Sequence, residues 1–485
     1  MKNKNYLIVA ITLLVITIGG TFAYFIAQTG AGAKANANIT ADTVDDLKFS
    51  VSKEGLSLSA NQFNFAQGSG NLSDSVTATA SLKANSTKSL ATYNYYVYFQ
   101  IESNNYIYTT TDQKPEIVLS ITGPNGEVTS VDGLTYVSAS DADGNTIKGF
   151  DITEQSSSVI KIADSYEISS SSSTNYTNQD WVFKVTFVNL NDNQTDNEGK
   201  SLTGKVLIQK EEIKPTLVEY IISQYTGVQG ENSLYYHDSN LENGAVDNSY
   251  RYAGASDEVN NYICLGLGEA TCLDDNLYRI IGVFGENNHG VKDQQLVKVI
   301  KNISYGNIAW NTSNDNDWAN SSLNITLNST FKTEKLSEIE DKVAEVQWKA
   351  SGSDTYSATA KTVYTTEITN AVKTHITKIG LMYASDYGFA TTSDYWTTNL
   401  VNYNTEAYQK DWLRLGLTEW LLSPYSRGSN YVWYVGSNGS FGYYGSNINL
   451  TTTYAVRPSF YLLSSVQYDS GSGTVSDPIR LKIWD

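Results

Sequence analysis

Hydrophobic and polar residues alternate along the first half of the chain with a period of two. Val76, Ala78, Ala80 and Leu82 share one face, and so do Tyr93, Tyr95, Val97, Phe99 and Ile101. Trp181, Phe183, Val185 and Phe187 repeat the pattern, with Val182, Lys184 and Thr186 opposite them. Successive side chains of a strand point to opposite faces, so this alternation predicts half-buried strands. Pro124-Asn125-Gly126, Asp143-Gly144 and the serine run 169–173 punctuate them as turns and loops. Strands of this kind at this spacing predict an antiparallel β-sandwich over 46–213.

The period then changes. Pro215 precedes Leu217, Val218, Ile221, Ile222 and Tyr225, which recur at helical spacing up to Gly227, so 214–234 reads as a helical connector. The remainder, 235–485, mixes both periods. Segments 277–284 and 296–301 predict a hairpin. Leu336, Ile339, Val343 and Val346 predict an amphipathic helix over 332–348. Ile368, Val372, Ile376 and Ile379 predict a second helix over 366–379, although β-branched residues disfavour it. Asn438-Gly439 is a hairpin signal that pairs 431–435 with 440–444. A further strand over 455–463 carries Pro458 at a bulge or an edge. The expected fold class is α+β and multidomain: an N-terminal hydrophobic helix, an antiparallel sandwich and a C-terminal α+β domain.

The N-terminal segment bears on compartment. Lys2 and Lys4 precede an apolar run over 6–25, which has the form of an export signal. Cleavage between Ala23 and Tyr24 makes 1–25 a signal peptide. Retention makes it a membrane anchor, long enough to span a bilayer with its lysines inside. Either outcome exports the rest of the chain, and 26–45 reads as a tether. The run from Gly19 to Phe25, GGTFAYF, resembles the signal end of the camelysin and biofilm-fibre family of Gram-positive bacteria. The resemblance implies a cell-surface β-sandwich. It does not bring protease activity, because the chain has no HExxH zinc motif.

A formal net charge of -18 argues against nucleic acid and against anionic membrane surfaces as partners. Membrane contact is therefore expected only through an uncleaved N-terminal segment. Cys264 and Cys272 lie close enough in sequence for a short-loop disulfide, which suits an exported chain, and no CxxC spacing points to zinc. The loop from Trp310 to Trp318, WNTSNDNDW, has oxygen donors for calcium but lacks EF-hand spacing. No metal or cofactor is assigned.

The stretch from Glu419 to Leu463 concentrates Tyr, Trp, Ser, Asn and Gly between Glu419-Trp420 and Val456-Arg457-Pro458. Aromatics give rigid contact area and Ser, Asn and Gly give adaptable hydrogen bonding, the mixture of a display surface. The order Glu-Trp, variable run, Val-Arg-Pro, with the tail Asp477-Pro478-Ile479-Arg480-Leu481, resembles a family of bacterial surface domains. These domains are similar to the C-type-lectin-like and formylglycine-generating-enzyme fold. The resemblance covers 235–485 and implies a solvent-facing receptor surface. Its candidate contacts are Tyr425, Arg427, Asn430, Tyr431, Trp433, Asn438, Tyr443, Tyr444, Asn447 and Asn449. Strand alternation turns part of that set inward. Glu419, Trp420, Arg457 and Pro458 are assigned to the scaffold, with an Arg457–Glu419 ion pair clamping the base of the display loop.

The leading expectation is a surface-displayed binding or adhesion protein for a glycan, peptide or protein. The alternative is a structural fibre or matrix subunit that polymerises through its sandwich. An enzyme of the formylglycine-generating type is a third reading. That branch uses a reactive cysteine pair, whereas Cys264 and Cys272 lie far ahead of the display stretch. His237, His289 and His375 share no catalytic spacing, so no catalytic residue is assigned.

Overall fold

A computed structural model describes residues 45–60, 70–266, 268, 271–354, 357–444 and 452–482. The chain divides into two compact units after Ile213. Strands make up 39% and helices 16% of it, so the α+β expectation is corrected to a mostly β protein of several sheets. The expected N-terminal hydrophobic helix, with the Ala23–Tyr24 cleavage point and most of the tether, lies outside the described residues. Among the described residues no helix is long and apolar enough to cross a membrane.

The first unit stacks two antiparallel sheets. One has the order Asp46–Val51, Leu72–Lys83, Thr177–Phe187, Ile117–Gly123, Thr146–Asp151, Thr135–Ser140. The other runs Leu56–Ser59, Ser201–Gln209, Ala91–Asn104, Ser158–Ser170. The period-two residues fill the gap between the sheets: Val76, Ala78, Ala80 and Leu82 with Trp181, Phe183, Val185 and Phe187 from one sheet, and Tyr95, Val97, Phe99 and Ile101 from the other, are all buried. Phe99 stacks on Phe183 at 5.9 Å, and Trp181 Nε1 donates to the Tyr95 hydroxyl at 3.0 Å. A buried indole N–H needs such a partner, so the pair fixes how the sheets meet.

The second unit has a nine-stranded sheet with Leu296–Lys301 and Leu277–Phe284 at its centre, flanked by Ser459–Leu462 and Tyr262–Cys264. A five-stranded sheet runs Gly306–Ala309, Thr453–Val456, Glu419–Pro424, Val432–Val435, Phe441–Tyr444. Every residue of the two central strands is buried, because the nine-stranded sheet is covered on both faces. Leu217, Val218 and Ile221 of helix Leu217–Ser223, within the 214–234 connector, pack into this unit's core.

Both long helices expected here are corrected. The first stops at Lys335, where Leu336 leaves helical geometry at φ -122°, and Val346–Lys349 is a strand. The second begins earlier, at Ala360, ends by Thr369 and is followed by strand Thr374–Thr377, which pairs with Val346–Lys349. Leu336, Ile339, Val343 and Val346 are all buried, but by turns and a strand. Residues spaced for one helical stripe can reach the core by other routes, and tertiary packing outweighs propensity here.

Candidate functional site

The display stretch begins on a buried clamp. Glu419 and Arg457 are both fully buried, and Arg457 donates from Nε to Glu419 Oε1 at 2.8 Å and from Nη2 to Oε2 at 2.9 Å. Nη2 also reaches the carbonyl of Leu413. Burial pushes the Glu419 carboxyl up and Arg457 pulls it back. Two parallel charge-assisted bonds are the strongest geometry available to such a pair. Pro458 is buried at the point where the expected 455–463 strand divides: Thr453–Val456 stays in the five-stranded sheet and Ser459–Leu462 enters the nine-stranded one. Arg457-Pro458 is thus the crossover between the sheets. Trp420 is buried against Tyr454 at 4.3 Å and donates to the Ile308 carbonyl at 3.0 Å.

Above the clamp, residues 425–431 form a braced loop. Tyr425 N–H donates to the Tyr431 carbonyl at 3.0 Å and closes it. Asn316, in the Asn/Asp-rich loop, places its amide nitrogen within hydrogen-bond reach of three carbonyls: Tyr425 at 3.1 Å, Gly428 at 2.7 Å and Tyr431 at 2.7 Å. Its backbone N–H donates to Ser429 at 2.6 Å. From the other side, Ser426 N–H donates to Ser353 and Arg427 donates to Asp354 Oδ2 through Nε at 2.8 Å. Gly352, at φ +68°, lets that segment approach, since a Cβ there would lie 1.8 Å from the Pro424 carbonyl.

Four of the ten expected contacts therefore share one loop. Tyr425, Asn430 and Tyr431 are half-buried and Arg427 is exposed. The Tyr425 and Tyr431 rings meet edge to face at 5.7 Å. Trp433 is corrected: it is buried, with Nε1 donating inward to the Ser353 carbonyl at 3.2 Å, and its neighbour Val432 is buried on the opposite face, so this strand is covered on both sides there. Asn438 is exposed in the 436–440 turn, where its Oδ1 accepts from Ser440. It lies beyond strand Val432–Val435, roughly 13 Å from the loop at about 3.3 Å per residue. Tyr443 and Tyr444 lie in strand Phe441–Tyr444, with their side chains outside the described set, as are Asn447 and Asn449 altogether.

Asn316 and Asp354 were not singled out by sequence. In the loop 310–318, Asn316 spends its amide on carbonyls, and among the described residues no group of three His, Cys, Asp or Glu could hold a metal ion. Cys264 and Cys272 form a disulfide with Cα atoms 5.8 Å apart, a bond compatible with an extracellular protein.

A second polar cluster lies in the core of the same unit. Lys298 is fully buried with Nζ 2.6 Å from Asp386 Oδ2, among the rings of Tyr383, Trp348, Tyr461 and Phe284. Arg251 donates from Nη2 to Asp247 Oδ2 at 2.7 Å and lies 3.7 Å from Asp386 Oδ1. Asp247 accepts further from Tyr364, Asn288 and Ser249. Glu367 accepts from the Ser385 N–H at 2.7 Å and the Ser423 hydroxyl at 2.5 Å. Burial pushes Glu367 up and Lys298 down. Burial also acts to raise Asp247, but Arg251 overrides it and holds that carboxyl well below its usual range.

No known family model matches the chain. No curated protein matches it either. Among solved structures, that of infectious bursal disease virus, Gx strain, aligns over 38% of this chain and 41% of its own, at 14% identity and a TM-score of 0.11. A likeness that slight carries no argument about fold or function.

Proposed function

We propose that the chain is an exported cell-surface binding protein that engages a glycan, peptide or protein ligand through the 425–431 loop. The observation that carries this reading is the bracing of the loop: Asn316 and the Arg427–Asp354 pair hold two half-exposed tyrosines, an exposed guanidinium and Asn430 in one geometry. Ordering a loop costs binding energy, and a loop ordered in advance does not pay it on binding. Tyr and Arg are the side chains that dominate binding hot spots. The disulfide supports an extracellular setting.

Polymerisation through the sandwich finds less support. Its long edge strand, Ser158–Ser170, has register shifts against Ala91–Asn104, and it carries Lys161, Asp164 and a left-handed Ser165 at φ 49°. Bulges, charge and kinks are the devices that keep sheet edges from pairing with other chains.

Glycan and peptide arrays probed with the whole chain test the proposal, beside Tyr431→Ala and Asn316→Ala. Binding that is lost in Tyr431→Ala and weakened in Asn316→Ala is expected. Array binding indifferent to both substitutions, or no binding at all, removes the loop as the site.

A further inference from the structure

The contact between Lys298 and Asp386 has the makings of covalent chemistry. A primary amine sits 2.6 Å from a carboxylate oxygen, both groups are buried, and aromatic rings exclude water from around them. The partners are 88 residues apart, one in central strand Leu296–Lys301 and the other in helix Ala384–Ala390. Tyr383 N–H donates to Asp386 Oδ2 at 2.8 Å, so the carboxylate is held in place from a second direction. Burying an ion pair carries a desolvation cost that a neutral amide does not. Proximity of this kind converts a reaction between two separate groups into one within a single frame.

We propose that Lys298 and Asp386 condense within the folded protein to an isopeptide bond, a crosslink across the core of the second unit. Nζ forms a bond to Cγ of Asp386, and the Cγ–Oδ2 bond breaks. The ammonium sheds two protons, both leave with Oδ2 as water, and the amide keeps the third. No oxidant, reductant or co-reactant is needed. Oδ1 becomes the amide oxygen and faces Arg251 Nη1, at 3.7 Å, a cation placed where negative charge develops in the tetrahedral intermediate. Glu367, a buried carboxyl that accepts from the Ser385 N–H beside Asp386 and acts electrostatically on both Lys298 and Asp386, is assigned in this proposal the transfer of a proton between nitrogen and departing oxygen. The desolvated lysine supplies the nucleophile.

Peptide mapping of the full chain tests this directly, without a variant that must fold. The chain is reduced, alkylated, digested with trypsin and analysed by mass spectrometry. The expected result is one branched peptide that joins the Lys298 and Asp386 segments, lighter by one water than the two together, with no cleavage after Lys298. Glu367→Gln is expected to yield unlinked peptides from a chain whose fluorescence and disulfide are unchanged. Two linear peptides from the wild type, with trypsin cutting after Lys298, mean an ion pair only and overturn the proposal. A linked peptide in Glu367→Gln overturns the role of Glu367.

Discussion

The two units differ in where their ion pairs lie: among those described, only the second unit has pairs with both partners buried. In the sandwich, every ion pair described has at least one partner 36% exposed or more. In the second unit, Arg251–Asp247, Arg251–Asp386, Lys298–Asp386 and Arg457–Glu419 have both partners at 4% or less. The difference follows from how the sheets are covered. Each sandwich sheet has a wet face, so a polar residue at an alternate position simply points to water. The central strands of the second unit are buried on both faces, so Lys298 has no such exit and finds its partner inside, while Lys301, at the strand's end, reaches out to the exposed Asp275. Stability in the first unit rests on apolar packing, and in the second it rests also on pairs that are costly to break.

The largest expected effect sharpens that contrast. Arg457→Ala leaves Glu419 buried and unpaired and should cost about 3–5 kcal/mol. Ile121→Val in the sandwich core removes one methylene and should cost about 0.5–1.5 kcal/mol. Urea unfolding followed by fluorescence measures both; equal costs would erase the comparison.

The next effect concerns pH. All three histidines lie in the second unit. His289 accepts at Nδ1 from Val291 N–H and has Nε2 3.1 Å from the Phe284 carbonyl, and burial lowers its pKa from 6.5 to about 4. The folded pKa lies below the unfolded one, so the unfolded chain binds more protons between them. This contribution is present in full above pH 6.5 and is lost as pH falls toward 4, up to about 3 kcal/mol. His237, with Nδ1 accepting from Ala245 N–H, is lowered in the same direction by burial. Glu367 and Asp411, raised by burial, act in the opposite sense. The variant isolates the histidine: stability of His289→Gln should fall less steeply between pH 7 and 4 than that of the wild type. Parallel pH profiles would show that His289 does not contribute.

The smallest effect separates binding from folding. The Arg427 side chain is 71% exposed, so its pair with Asp354 contributes under about 1 kcal/mol to stability. Arg427→Ala should leave the unfolding midpoint nearly unchanged while array binding drops. A large loss of stability would make the loop part of the scaffold.

The candidate loop was only partly legible. Tyr425, Arg427, Asn430 and Tyr431 stand out by composition, and the Arg457–Glu419 pair could be expected from two charges bracketing the aromatic and polar stretch. Trp433 reads like Tyr425 and Tyr431 in composition until its burial is known. Asn316 carries no local signal, because the carbonyls it braces lie 109–115 residues away.

By itself the sequence determined the sandwich strands, the central hairpin of the second unit and the turn at Asn438-Gly439, since alternation and turn chemistry act between near neighbours along the chain. Only the tertiary structure decided that 332–348 breaks into turns and a strand, and that Lys298 and Asp386 meet in the core. Burial is a property of position in three dimensions. A periodic pattern states which residues must leave water, but what they meet inside depends on segments far away in the chain.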